Sequence, residues 1–96
     1  MTSDNFLHTL ESTIRDRLNN PSTESYTASL AAMGVKRIAQ KVGEEAVELA
    51  LASVDGDREE LLNEAADLVY HLLVLLHVQE MQFGDVIQTL ETRYTG

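Results

Sequence analysis

Hydrophobic residues recur at steps of three and four along nearly the whole chain, the spacing of helices with one apolar face. In the first segment, for example, Leu7, Leu10, Ile14 and Leu18 fall on one side of a helix. A last short helix carries Val86 and the apolar positions after it. The other predicted helices span about residues 4–19, 26–33, 35–54 and 57–82.

Short polar or glycine-containing segments separate these helices. Residues 19–25 are polar and contain Pro21, which predicts a loop. Gly34 is placed to follow the end of the second helix as its C′ residue, and Asp57 is a natural N-cap for the fourth. We expect Gly84 to break the chain before the last helix. The sequence thus predicts an all-α fold of one domain spanning the 96 residues.

The third helix carries a glycine in its interior, although an interior glycine costs about 1 kcal/mol relative to alanine. We therefore expect packing, or the close approach of a ligand, to explain Gly43. The apolar face predicted for this helix consists of Val35, Ile38, Val42, Ala46, Leu49 and Ser53.

The fourth helix is the most apolar, with hydrophobic residues over more than half of its circumference. Its longest uninterrupted apolar run, residues 72–76, is far shorter than the roughly 18 residues of a membrane span. A helix this apolar must be surrounded by other helices, and a chain of this length has few. We therefore predict a helical bundle completed by homodimerisation.

Composition narrows the possible functions. Sixteen acidic against seven basic residues give a formal net charge of −9, which disfavours a nucleic-acid polymer or an anionic membrane as partner. The absence of cysteine excludes a disulfide scaffold, a thiolate zinc site and an iron–sulfur cluster. No pattern typical of a secretion signal is present, so we expect a cytoplasmic protein.

The acidic residues are concentrated in the third and fourth helices. Two motifs stand out, Glu45-x-x-Glu48 and Glu64-x-x-Asp67, and residues three apart on a helix share a face. The short turn at residues 55–57 forces the two helices to run roughly antiparallel. Both motifs then lie about two turns or more from that turn, so the four carboxylates can converge.

Converging carboxylates repel one another unless a cation cancels their charge. Their hard oxygens suit Mg²⁺, with Mn²⁺ possible, better than zinc. On spacing alone, a solvated acidic face explains the motifs equally well. A polar stripe on the otherwise apolar fourth helix supports the metal interpretation. Its members are Glu60, Glu64, Asp67 and His71. His71 alone fits a buried, hydrogen-bonded histidine as well as a catalytic one.

Basic residues precede the first acidic motif on the same helix. Lys36, Arg37 and Lys41 lie one to three turns before Glu45 and Glu48. Cations beside a metal-binding acidic cluster are typical of a polyphosphate site. For Lys41 the simpler alternative is an ordinary helical ion pair with Glu45, four residues later.

Two longer strings carry a family resemblance. Residues 41–46 read Lys-Val-Gly-Glu-Glu-Ala, and residues 66–72 read Ala-Asp-Leu-Val-Tyr-His-Leu. Together with Ser-Tyr-Thr at residues 25–27, they closely resemble the phosphoribosyl-ATP pyrophosphatase family. That family belongs to the all-α NTP pyrophosphatase superfamily, known for paired Glu-x-x-Glu and Glu-x-x-Asp motifs. The similarity covers the chain from the first helix to about residue 90.

The resemblance implies hydrolysis of phosphoribosyl-ATP to phosphoribosyl-AMP and pyrophosphate, the second step of L-histidine biosynthesis, with Mg²⁺ and a homodimer. Many relatives carry a fused cyclohydrolase domain with cysteine and histidine zinc ligands; this sequence has none, so we expect the single-function form. Residue by residue, the resemblance implies metal ligands at Glu45, Glu48, Glu64 and Asp67, a further ligand or a base for water at Glu44, phosphate contacts at Lys36, Arg37 and Lys41, and further substrate-binding candidates at Tyr26, Thr27 and His71.

Two alternatives stay open at this point. The same chemistry could serve a house-cleaning pyrophosphohydrolase that acts on ordinary or damaged nucleoside triphosphates. A helical dimerisation module without enzymatic activity, whose acidic face is simply solvated, would share the composition and the helical pattern.

Overall fold

A computed structural model describes residues 3–95 of the chain, and the side chains of residues 6–95. This part is helical throughout, with no strand among the described residues, so the all-α prediction is confirmed. Three helices begin and end within one residue of their predicted limits, whereas the fourth and fifth differ more. The helices are α1 (Ser3–Asn19), α2 (Tyr26–Ala32), α3 (Val35–Asp55), α4 (Arg58–His77) and α5 (Phe83–Tyr94).

Local signals set most of these boundaries. The Ser25 hydroxyl accepts a hydrogen bond from the Ala28 N–H at 3.1 Å and caps α2. The Asp57 carboxylate accepts from the Glu60 N–H at 3.1 Å, which confirms the predicted cap of α4. Gly34 follows the end of α2 with a φ of 92°, a conformation that side chains rarely adopt, as expected of a C′ glycine.

The fourth helix ends earlier than predicted, at His77 instead of near residue 82. The Met81 N–H donates to the Leu76 carbonyl and the Glu80 N–H to the His77 carbonyl, the bonds of a Schellman motif. Such a motif needs one left-handed residue, and Glu80 supplies it with a φ of 61°. No glycine marks this position, so the sequence carried no signal for the end of the helix.

The last helix begins at Phe83 and contains Gly84 in its first turn, so the prediction that Gly84 breaks the chain was wrong. The break lies in residues 78–82, where the Schellman motif ends α4. At the new start, the Asp85 carboxylate accepts a hydrogen bond of 2.9 Å from the Gln82 N–H, as in a capping box.

The core lies where the first four helices meet. Helices α3 and α4 form an antiparallel hairpin, against which α1 and α2 pack. Partly buried Leu7, Leu10 and Leu18 of α1 surround the centre, as the periodicity of the sequence predicted. The fully buried apolar side chains at that centre are Ile14, Leu30, Ile38, Leu73 and Val74.

The face that α3 turns inward matches the predicted one only in part, since Ile38 is buried and Val42 and Leu49 are half-buried. Its buried residues are Ile38, Glu45 and Ala52, at intervals of seven, whereas Ala46 and Ser53 are exposed. Val35, also predicted to face inward, is exposed as well. The apolar pattern did not predict that this face includes a carboxylate, Glu45, which is buried near Glu64 of α4.

Helix α4 is only partly surrounded by this chain. Leu73 and Val74 are fully buried, yet Leu62 is 68% exposed and Val69 is 40% exposed. Within the described residues, no helix is long and apolar enough to cross a membrane. The apolar surface left on α4 agrees with the expectation that another surface covers it.

A buried polar contact joins both ends of the chain. The Glu11 carboxylate, on α1, pairs with His77 Nε2 at the end of α4 at 2.6 Å. The same oxygen accepts the N–H of Phe83 at 3.0 Å, in the first turn of α5. Both side chains are less than one-tenth exposed. One carboxylate oxygen therefore anchors α5, which has no buried residue of its own.

We predict that Glu11→Ala lowers the free energy of unfolding by about 3 kcal/mol, because it strands His77 and the Phe83 N–H in a buried site. Urea unfolding followed by circular dichroism measures the loss. The control is Glu91→Ala, at an exposed position on α5. A loss below about 1 kcal/mol, no larger than that of the control, would show that this contact does not hold the helices together.

Candidate active site

The α3–α4 hairpin sets the heights of the acidic residues. Gly56, with a left-handed φ of 79°, ends α3, and Asp57 caps α4 directly after it. Glu48 lies eight residues before Gly56 and Glu64 eight residues after it. Because the two helices are antiparallel, these side chains face each other at the same level.

Three of the four predicted ligands meet between the helices. Glu45, Glu48 and Glu64 each offer a carboxylate oxygen, and these oxygens all lie within 4.8 Å of one another. Glu45 is buried, Glu64 is half-buried and Glu48 is exposed, so the group opens toward solvent on one side. Asp67 is exposed and lies outside this group of three, although its charge still acts on Glu64.

Two oxygens of this cluster are buried without a hydrogen-bond partner, Oε2 of Glu45 and Oε2 of Glu64. A buried carboxylate oxygen with no partner is strongly unfavourable, since it has lost its water and gained nothing in return. The donor set is oxygen only and partly open, which fits a hard divalent cation that keeps some ligand positions for water or phosphate. The site thus has the chemistry of a metal centre.

The clustering raises the pKa of Glu64 from 4.5 to about 7. The largest cause is the close contact with the Glu48 carboxyl, which favours a shared proton. Removal from water comes next, followed by the negative charges of Glu48, Glu45 and Asp67. Without a cation, the cluster therefore relieves its repulsion by holding a proton.

The basic residues of α3 contact the neighbouring acids. Lys41 Nζ lies 3.6 Å from Glu45 Oε1, the helical ion pair anticipated as its simpler role. Arg37 lies 3.9 Å from Glu44, and both are well exposed, so this pair contributes little to stability. Lys36 is exposed one turn before Lys41. Lys41 and Arg37 thus each pair with an acid of α3 itself, and a phosphate contact at any of the three cations stays a prediction.

The candidates on α2 lie in a separate polar contact with α4. The Tyr26 hydroxyl is 2.9 Å from Nε2 of His71, and the Thr27 hydroxyl is hydrogen-bonded to the Tyr70 hydroxyl. Nδ1 of His71 donates to the Asp67 carbonyl at 2.8 Å. Sequence reasoning missed Tyr70; its only signal is a polar aromatic residue within an apolar helix.

Gly43 lies on the exposed side of α3 with open space around it. A methyl group added at this position meets nothing within 4 Å among the described residues. Packing within the described part of this chain therefore does not explain the glycine. The approach of a ligand or of another molecule stays the prediction for this position.

Fold and site together define a class: an all-α protein with a carboxylate centre between two antiparallel helices. Comparison with known families is more specific. The chain belongs to the phosphoribosyl-ATP pyrophosphohydrolase family, whose sequence profile matches residues 7–94. This match confirms the resemblance read from the two sequence strings.

Individual relatives are similar over nearly the whole chain. A histidine biosynthesis bifunctional protein HisIE of Vibrio cholerae is 57% identical over 89 residues, which are 93% of this chain and 42% of the relative. Its namesake in Yersinia pestis is 56% identical over 89 residues, covering 93% and 44%. The protein of the same name in Buchnera aphidicola is 54% identical over 91 residues, which are 95% of this chain and 44% of the relative. The chain thus spans about two fifths of the length of these curated relatives.

The raised pKa of Glu64 predicts an unusual pH dependence of stability without metal. Glu64 ionises near 4.5 when unfolded but near 7 when folded, so the folded state holds the extra proton between these values. Glu64 therefore lowers the free energy of unfolding more and more as pH rises from about 4.5 to 7. Above pH 7 its effect stays constant. In Glu64→Gln this fall is absent.

Urea unfolding of both proteins in a chelator, from pH 4.5 to 8, tests this. The stability of wild type relative to Glu64→Gln should decline across the interval and then level off. Glu59→Gln, at an exposed position in the first turn of α4, serves as the control. A difference between wild type and Glu64→Gln that does not change with pH would contradict the shared-proton description of the cluster.

Proposed function

We propose that this chain hydrolyses phosphoribosyl-ATP to phosphoribosyl-AMP and pyrophosphate, the second step of L-histidine biosynthesis, with a divalent cation. The observation that carries the proposal is the pair of buried carboxylate oxygens without partners in the cluster between α3 and α4. Membership of the phosphoribosyl-ATP pyrophosphohydrolase family gives this cluster its substrate.

Four carboxylates of the hairpin would hold the cation. Glu45, Glu48 and Glu64 supply the three oxygens that already converge, and Asp67, one turn from Glu64, is the proposed fourth ligand. Mg²⁺ fits this set, and Mn²⁺ can replace it, since both prefer oxygen ligands. When bound, such a cation polarises a phosphoryl group and lowers the pKa of a coordinated water.

The neighbouring residues of α3 have complementary tasks. A polyphosphate must approach a chain of net charge −9, so cations are needed where it enters. Lys41 turns from Glu45 to the phosphates, while Arg37 and the exposed Lys36 contact phosphate oxygens farther out. Glu44, well exposed beside the cluster, takes a proton from the attacking water or adds a further ligand.

The test is release of pyrophosphate from phosphoribosyl-ATP against a panel of common nucleoside triphosphates in Mg²⁺. We expect a clear preference for phosphoribosyl-ATP. Glu48→Ala and Asp67→Ala should each lower kcat/KM by at least about a hundredfold, since even residues that only orient metal ligands cost tenfold to a hundredfold. Glu59→Ala, on the same helix, should change little.

Other results would contradict the proposal in different ways. Equal hydrolysis of the whole panel would indicate a general nucleoside triphosphate pyrophosphohydrolase. Near wild-type activity in Glu48→Ala and Asp67→Ala would remove these residues from the metal site. No turnover, together with no saturable heat on titration of Mn²⁺, would indicate a helical interaction module.

We further propose that the chain forms a homodimer through the outer faces of α3 and α4. Both helices leave large apolar side chains in solvent, which is unusual for a surface that stays uncovered. Gly43 lies one turn from Val47 on this side, where its open surroundings allow a second chain to approach closely. The exposed residues are Val47, Leu51, Val54, Leu62 and Val69.

We expect sedimentation at micromolar concentration to give a species larger than the 10.7 kDa monomer. Leu51→Arg, which places a charge in the centre of this face, should shift the protein to a monomer without loss of helicity. Leu90→Arg, an equally drastic change on α5, should leave the assembly intact. A wild type that sediments as a monomer would rule out this interface.

A further inference from the structure

Tyr26 combines exposure with a fixed position. About half of this residue, 52%, is open to solvent. Its hydroxyl is nevertheless held by Nε2 of His71 at 2.9 Å, and its ring lies nearly perpendicular to the His71 ring at a centroid distance of 5.9 Å. The Tyr70 ring lies at a centroid distance of 6.2 Å, tilted by 30°. An exposed aromatic ring held at three points has already lost the freedom that ligand binding would remove.

The direction of the hydrogen bond between Tyr26 and His71 follows from the other partner of His71. The carbonyl of Asp67 can only accept, so Nδ1 of His71 carries the hydrogen of their 2.8 Å bond. In the neutral ring Nε2 then accepts, and the Tyr26 hydroxyl donates to it. Both ring nitrogens of this buried histidine are therefore occupied inside the protein.

The hydroxyl of Thr27 also has a hydrogen-bond partner inside the protein. Thr27 is 1% exposed, and its hydroxyl is bonded to the hydroxyl of Tyr70. Neither Thr27 nor His71 thus has a polar side-chain group free to bind substrate. Both contribute to the contacts that fix the beginning of α2 against α4. Tyr26 is the member of this group that presents a surface to solvent.

The histidine that holds the ring lies on the same helix as two residues of the acidic motifs, Glu64 and Asp67. His71, which holds it, lies seven residues beyond Glu64 on α4, or about 10 Å along the helix axis. This separation is comparable to the span of a nucleotide from its phosphates through the ribose to the base. A substrate whose phosphates lie at the carboxylates can therefore place its base near Tyr26.

Resting on the proposed function, we propose that Tyr26 contacts the purine ring of the substrate by stacking, and that His71 and Thr27 are positioning residues for it. Stacking accepts any flat ring with a π-face and needs no hydrogen bond, so the hydroxyl of Tyr26 stays available to His71. The cluster then selects for phosphate and metal, and Tyr26 selects for the base.

Two probes separate base from phosphate: ATP, which carries both, and tripolyphosphate, which has no base, each in Mg²⁺. Tyr26→Leu should weaken ATP binding about tenfold or more, as expected for a lost stacking contact, and change tripolyphosphate binding less than twofold. Tyr26→Phe, which keeps the ring, should lose much less of the affinity for ATP. Tyr94→Leu, at an exposed tyrosine on α5, is the matched control.

The positioning role is tested by rescue. His71→Leu, which cannot accept from the Tyr26 hydroxyl, should weaken ATP severalfold without affecting tripolyphosphate. His71→Gln, which retains an acceptor, should restore most of the ATP affinity. Equal affinities in these two variants would overturn the role given to His71.

The chain contains no tryptophan, so a single one reports on its own position. In Tyr26→Trp, ATP should quench the fluorescence and tripolyphosphate should not, whereas Trp placed by Tyr94→Trp should respond to neither. Equal responses to both probes, or no response to ATP, would overturn the proposal. Because these readouts measure binding, base-dependent quenching would sustain the contact even if phosphoribosyl-ATP were not hydrolysed.

Discussion

Repulsion among carboxylates that converge between two antiparallel helices is the constraint around which this protein is organised. Glu45 is buried on the inner face of α3, a position that an apolar residue would fill at lower cost. Across from it, Glu64 holds its proton up to a pH of about 7, since Glu48 and the neighbouring charges oppose its ionisation. This cost supports the proposal that the cluster binds a positively charged ligand.

The rest of the fold holds this hairpin in place by polar contacts between distant segments. Tyr26 and Thr27 fasten the beginning of α2 to α4, close to the carboxylates. At the other end of α4, Glu11 joins His77 to the start of α5. The apolar core is small, so these buried hydrogen bonds fix orientations that hydrophobic packing alone would leave loosely specified.

The sequence predicted what depends on local pattern: the helices, the Asp57 cap, and the convergence of the acidic motifs across the turn. It failed where the pattern carries no signal. A carboxylate, Glu45, lies on the buried face of α3, and α4 ends early because Glu80 adopts a left-handed conformation without a glycine. Glu11 and His77 are 66 residues apart, so no local spacing connects them. The exposed Asp67 lies outside the group of three, and its role as fourth ligand stays a prediction.

The central claim is that the carboxylates of α3 and α4 bind one kind of ligand, a divalent cation. The most direct measurement is anomalous X-ray diffraction from a crystal of the protein soaked in Mn²⁺. We expect an anomalous peak between the two helices, within coordination distance of oxygens of Glu45, Glu48 and Glu64, with further positions open for water or phosphate. Strong Mn²⁺ peaks elsewhere on the acidic surface, with none between these three residues, would contradict it.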